Sequence, residues 1–152
     1  MKRIGLFPGS FDPFTKGHEE IIHKSLKIFD EIIIGIGINS SKQYLFDINK
    51  REAHIRHLFC NDNRVTVSVF TGLTVSFCKL IGASHIIRGV RDTKDFEYEK
   101  SIAHMNFDIS GIETFFILSS KEHSALNSSI VRELFLNNAD ISNFVTSPNL
   151  LV

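Results

Sequence analysis

Apolar runs of strand length alternate along this chain with amphipathic stretches of helical period. Ile4-Gly5-Leu6-Phe7 forms a first strand that stops at Pro8-Gly9, and Gly17 to Phe29 then carries Ile21, Ile22, Leu26 and Phe29 along one helical face. Ile32 to Ile38 is a β-branched run without alternation, as expected for a strand covered on both faces. Asn49 to Cys60 is a second amphipathic helix, with Ala53, Ile55 and Leu58 expected inside. Val65–Phe70 reads as strand, Leu73–Ile81 as helix and His85–Arg88 as a short fourth strand. Lys94–Ile109 is expected to be helical, Thr114–Leu118 a fifth strand, Ser128–Leu136 a helix and Ile141–Phe144 one further turn. Such alternation predicts an α/β fold: one doubly wound, Rossmann-like domain over 1–152, with a five-stranded parallel sheet and helices on both faces. No repeat, low-complexity tract or Pro/Gly/Ser-rich linker divides it.

Composition narrows the partners. The 17 Lys and Arg balance 17 Asp and Glu, so no general affinity for nucleic acid or anionic membrane is expected, and any anion site must be a local cluster. The two cysteines, Cys60 and Cys78, form no C-x-x-C pair and read as reduced cytoplasmic thiols. The N-terminal apolar stretch meets Asp12 too early for a signal peptide, and the longest apolar run is far short of a membrane span.

In an open parallel sheet ligands bind beyond the carboxyl ends of the strands. Pro8 to His18 follows the first strand and Asn39-Ser40-Ser41-Lys42 the second. Thr71-Gly72-Leu73-Thr74 follows the third, Arg88-Gly89-Val90-Arg91 the fourth, and Ser119 to Ser129 the fifth. Cations, hydroxyls and glycines thus gather at one edge, which predicts a phosphorylated ligand. The first loop leads through Gly17 and His18 straight into a helix, whose free N–H groups and dipole attract anions. No G-x-G-x-x-G or G-x-x-x-x-G-K-[ST] is present, so neither a dinucleotide fingerprint nor a P-loop is expected. Arg88 ends a buried strand, where an unpaired charge is costly, so it needs a partner anion. His54, His57 and Cys60 share one helix but lack a fourth metal ligand, so packing and surface roles are expected. His104-Met105-Asn106 fits either an ordinary helix segment or part of a binding pocket.

P-G-S-F-D-P-F-T-K-G-H at 8–18 resembles the T-x-G-H motif of the nucleotidyltransferase superfamily. Ser41-Lys42, I-R-G-V-R-D-T-K-D-F-E-Y-E at 87–99, A-H-M-N at 103–106, S-K-E at 120–122 and S-S-I-V-R-E at 128–133 extend the likeness. The whole pattern is similar to the bacterial phosphopantetheine adenylyltransferases. The resemblance implies attack by the phosphate of 4′-phosphopantetheine on the α-phosphorus of ATP, yielding dephospho-coenzyme A and pyrophosphate. It implies catalytic roles for His18 and Ser10. An ATP site would comprise Ser10, Phe11, His18, Gly89, Val90, Arg91, Glu99, His123, Ser124, Ala125, Leu126, Asn127, Ser128 and Ser129. Ser10, Lys42, Thr74 and Arg88 would bind the second substrate. Mg2+ accompanying ATP with few direct protein ligands, a homohexamer and coenzyme A as feedback inhibitor are implied as well. Three positions depart from the common pattern: Ser10 replaces a frequent threonine, His123 a frequent tryptophan and Asn127 a frequent serine. A nucleotidyltransferase for a pyridine-nucleotide acceptor and a non-catalytic ATP-sensing module are the alternatives.

Overall fold

Apolar side chains on both faces of the central strands set the architecture. A computed structural model describes residues 2–152. In it β1 (Ile4–Gly9), β2 (Glu31–Ile38), β3 (Val65–Thr71), β4 (His85–Val90) and β5 (Glu113–Leu118) pair in parallel in the order β3-β2-β1-β4-β5. Helices α1 (Lys16–Ser25), α2 (Ile48–Leu58), α3 (Thr74–Ile81) and α4 (Thr93–Ser110) connect them, and α5 (Ser128–Leu136) follows β5. Strand alternation sends Phe7, Ile32, Ile34, Ile36 and Ile87 to one face, against Ile21 and Ile22 of α1 and Ile55 of α2. Leu6, Ile33 and Ile86 pack on the other face, with Val75 and Cys78 of α3. Each such side chain contributes about 1.5–3 kcal/mol on burial, so the sheet is held from both sides.

A third cluster joins Phe46, beyond β2, to Val131 of α5 and to Ile141, Val145 and Leu151. The final residues therefore fold back over the loops at the carboxyl edge. The expected turn at Ile141 is present, with the Phe144 and Val145 N–H groups both donating to the Ile141 carbonyl. A 3-10 turn at Pro148–Leu151 follows, which the apolar pattern did not predict.

Two expectations need correction. Helix α1 stops at Ser25 rather than Phe29: the bonding tightens to a three-residue spacing, with the Lys27 N–H donating to the Lys24 carbonyl at 3.2 Å and the Ile28 N–H to the Ser25 carbonyl at 2.9 Å. The Asp30 N–H then donates to the Arg3 carbonyl at 2.9 Å as the chain enters β2. Phe29 still enters the core, but from that turn. In α2, Ala53 is exposed, while Arg51 and His54 are buried beside Ile55. The helix is phased so that polar side chains with partners in neighbouring loops face inward. Arg51 donates to the Phe46 and Ser10 carbonyls at 2.9 and 2.6 Å, and His54 Nε2 donates to the Thr146 carbonyl at 2.7 Å.

Helix α4 buries no residue and leaves Tyr98, Met105 and Ile109 exposed. Among the described residues no helix is long and apolar enough to cross a membrane. The chain leaves β1 for β2 on one side and returns through β3 to β4 on the other. The order reverses at β1, and a crevice opens beyond the carboxyl ends of β1 and β4.

Candidate active site

The loop after β1 is built around a reciprocal helix cap. Thr15 Oγ1 accepts the His18 N–H at 3.4 Å, and His18 Nδ1 accepts the Thr15 N–H at 3.0 Å. A histidine thus fills the place that glutamate or glutamine takes in the usual capping box. The consequence is chemical. Nδ1 accepts, so the neutral ring carries its proton on Nε2, which has no partner among the described residues. Phe11 and Phe14 pack on the ring at centroid distances of 5.1 and 5.2 Å. Burial, reinforced by the charges of Arg88 and Arg91, pushes the imidazole down to about 3. Since 6.5 is its ordinary value, the unfolded chain takes up a proton that the native ring refuses. This contribution therefore weakens the fold as pH falls from about 6.5 toward 3. Nitrogen-shift NMR of the ligand-free protein is expected to show His18 as a neutral Nε2–H tautomer throughout pH 5–8; a midpoint near 6.5 would contradict this environment.

Neighbouring elements fix the same loop. The Asp12 carboxylate accepts the Leu45 and Phe46 N–H groups at 2.8 and 2.9 Å, and Arg132 Nη1 donates to the Asp12 carbonyl at 2.9 Å. The Ser128 hydroxyl donates to the Pro13 carbonyl at 2.8 Å. A Cβ on Gly9 would lie 2.8 Å from the Phe11 ring, so only glycine lets the loop fold this tightly. One on Gly17 would stand 3.8 Å from both His123 Cβ and Leu126 Cδ2, narrowing the space in front of the helix.

Two cavities meet at this edge. The first, about 300 Å³, is lined by His18, Arg91, His123, Asn127, Ser128 and Arg132 among others. The second, about 290 Å³, runs along Tyr44, Thr74, Asn106 and Thr114. Both share Ser10, Arg88 and Glu99. Arg88 forms a two-point ion pair with Glu99, at 2.8 Å from Nε and 2.6 Å from Nη2, and donates to the Pro8 carbonyl at 2.6 Å. Three of its five N–H groups are used, leaving two for an anion at the junction. Arg91 is likewise paired with Asp95. Arg132 has no carboxylate partner among the described residues. The first cavity thus holds guanidinium groups and a neutral N–H donor around a helix start, a setting for a polyphosphate.

Residues 6–134 match the cytidylyltransferase-like family model. The chain is 47% identical to a phosphopantetheine adenylyltransferase of Flavobacterium psychrophilum, over 92% of this chain and 93% of that one. It is 46% identical to that of Bacteroides thetaiotaomicron, over 94% and 95%. The chain belongs to the phosphopantetheine adenylyltransferase family. This membership makes it a nucleotidyltransferase. Its fold also matches the crystal structure of a bifunctional NMN adenylyltransferase/ADP ribose pyrophosphatase of Francisella tularensis, complexed with AMP and a manganese ion, with a TM-score of 0.72 at 19% identity. That match covers 97% of this chain and 46% of the other.

In this adenylyltransferase, Ser10, Phe11, His18, Gly89, Arg91, Glu99, His123, Leu126, Asn127 and Ser128 all line the first cavity. Thr74 joins Ser10, Arg88 and Glu99 in the second. Ser124 and Ala125 line a recess outside the first cavity, beside Arg91 and Asn127. Val90 is buried rather than lining, and Ser129 turns its hydroxyl to Arg132 Nη2 at 3.0 Å. Lys42 is exposed in the turn after β2, outside both linings. Asn106 lines the second cavity, whereas Met105 points to solvent. His57 and Cys60 are exposed, and no group of three His, Cys, Asp or Glu among the described residues could hold a metal ion.

Sequence reasoning gave no role to Arg132 or Asp95, which line the first cavity, or to Arg51, which braces Ser10. Arg132 follows Ser128 by four residues, and that i, i+4 spacing on one helix face is the signal available for it. Arg51 carries no such signal, since its partners lie in other loops.

Proposed function

We propose that this chain transfers the adenylyl group of ATP to 4′-phosphopantetheine, giving dephospho-coenzyme A and pyrophosphate, the penultimate step of coenzyme A synthesis. The names of its relatives support the reaction. The observation that carries the mechanism is the meeting of two cavities at Ser10 and Arg88, beside a histidine whose free nitrogen can only donate. ATP occupies the first cavity, with the triphosphate at the α1 N-terminus near Arg91, Ser128 and Arg132 and the base beside His123 to Asn127. The pantetheine arm lies along the second cavity near Thr74 and Asn106, where the buried Thr114 hydroxyl lacks a partner that an amide would supply.

The acceptor phosphate, held by Arg88 and Ser10, attacks the α-phosphorus. One P–O bond forms, the bond to the β-phosphate bridge breaks, and pyrophosphate leaves with the electron pair. The nucleophile is already an anion, since a phosphate monoester loses its second proton near pH 6, so no general base is needed. His18 could not serve as one: its Nδ1 is committed to Thr15, and its Nε2 is protonated. Nε2–H stabilises the growing charge on the α-phosphate, and positioning does the rest. For Lys42, a contact to the acceptor phosphate rests on the family resemblance alone.

Every carboxylate lining the first cavity is already engaged: Asp12 by two N–H groups, Asp95 by Arg91 and Glu99 by Arg88. The chain's own residues therefore do not form a magnesium site, and Mg2+ would be carried by the phosphates of ATP, where it would neutralise part of their charge. A cytoplasmic setting suits the two unpaired cysteines. The implied hexamer and feedback by coenzyme A belong to the same proposal. The exposed apolar side chains of α4 and Leu118 of β5 support self-association.

Pyrophosphate release from ATP is expected with 4′-phosphopantetheine as acceptor and not with nicotinate mononucleotide. The reverse preference would overturn the reading.

A further inference from the structure

Helix α1 carries a second anchored side chain, two residues beyond His18 and on another face. The Glu20 carboxylate accepts from the Ser120 N–H at 3.1 Å, the Ser120 hydroxyl at 3.1 Å and Lys24 Nζ at 2.6 Å. It also faces His123 Nδ1 at 2.6 Å, and because an ionised carboxylate only accepts, Nδ1–H is the donor. Lys24 spans the same junction, donating to the Leu118 carbonyl at 2.7 Å. Burial alone would raise the Glu20 carboxyl, yet these donors outweigh it and hold it at about 2. A carboxylate only 16% exposed, with four donors from three residues, is a built junction rather than a solvated surface charge.

What the junction holds is the wall of the first cavity. His123 lines that cavity, and so does Ser119, next to the Ser120 that Glu20 grips. Across the opening stands Gly17, close to the His123 Cβ. One rigid helix therefore presents His18 on one face and fastens the opposite wall of the cavity with another.

We propose that Glu20 is a positioning residue for the nucleotide: it fixes the 119–123 turn and the His123 ring to the helix that carries His18. This rests on the adenylyl-transfer reading, because it takes the first cavity as the ATP site. The bonds cross from α1 to a turn about one hundred residues later. Without them that turn keeps its connection to β5 but loses its registration on the cavity. The effect should fall on ATP and spare the acceptor, whose cavity contains neither Glu20 nor His123.

The test is steady-state kinetics of wild type, Glu20→Ala, Glu20→Gln, His123→Ala and the Glu20→Ala/His123→Ala double variant, with ATP and 4′-phosphopantetheine varied separately. Glu20→Ala is expected to raise KM for ATP about tenfold while KM for phosphopantetheine stays within about twofold. Glu20→Gln should recover part of the loss, since its amide oxygen still accepts from Ser120. The double variant should lose less than the two single losses combined, because they share the Glu20–His123 contact. An unchanged KM for ATP in both Glu20 variants, equal rises for both substrates, or additive losses in the double variant would each overturn the role of Glu20. A wild-type protein without turnover would instead overturn the adenylyl-transfer reading.

Discussion

Replacing His18 with alanine is expected to lower kcat by about 10²–10³-fold, the usual consequence of deleting one preorganised donor to a developing oxyanion. ATP binding should weaken far less, because the guanidinium groups and helix N-terminus remain. The variant also loses half of its helix cap, for the Thr15 N–H is left without the Nδ1 acceptor. That loss costs about 1 kcal/mol. His18→Gln separates the two roles: glutamine can close the capping box, so the midpoint of urea unfolding should return close to wild type. Its amide does not reproduce the Nε2–H position, and turnover should stay depressed at least tenfold. Pyrophosphate release and urea unfolding on the same preparations read both. If His18→Gln were as active as wild type, the imidazole donor would not be the catalytic group. If His18→Ala retained full turnover while ATP binding collapsed, His18 would be a ground-state ligand only.

The second large effect is expected at Arg88. Arg88→Ala removes the cation shared by the two cavities and leaves the Glu99 carboxylate, with its side chain 11% exposed, unpaired. Breaking a buried pair from one side costs about 3–5 kcal/mol. Arg88 itself is about a third exposed, so solvent screening brings the expected cost below that range, to about 2 kcal/mol. Turnover should fall by more than two orders of magnitude, since the acceptor phosphate loses its anchor. Adding Glu99→Gln should restore most of the stability, because the uncompensated charge is gone, and none of the activity. Urea unfolding of the single and double variants, paired with kinetics, distinguishes the two consequences. A double variant that regained turnover would remove Arg88 from the substrate site.

The helix start after the first loop was the most legible part of the site, whereas its reciprocal cap came only with the structure. Gly17 and His18 lead straight into an amphipathic run, which placed the helix start, but a histidine closing the cap on Thr15 departs from the glutamate or glutamine of the usual pattern. Arg88 and Glu99 were legible only singly. Each was assigned to a different substrate, and nothing in their spacing of eleven shows that a strand end and the helix after it bring them into one ion pair. Glu20 and His123 are farther apart still, and the sequence contains no sign of their contact. Ala53 failed for a related reason. A hydrophobic pattern ranks alanine above arginine and histidine for burial, but α2 turns inward the side chains whose polar groups have carbonyls waiting in the loops after β1 and β2 and near the C-terminus.

By itself the sequence determined the five parallel strands, their helices, the crowding of polar residues at one edge and the helix start after the first loop. These follow from periods of two and 3.6 residues and from short-range capping, all physics that acts within a few residues. Only the tertiary structure decided which charges are spent on one another, that two cavities share Ser10 and Arg88, and that Lys42 stands outside both. Those outcomes depend on crossovers that bring distant loops together, and the energy of a buried ion pair or a satisfied carbonyl is set by that meeting rather than by either residue alone.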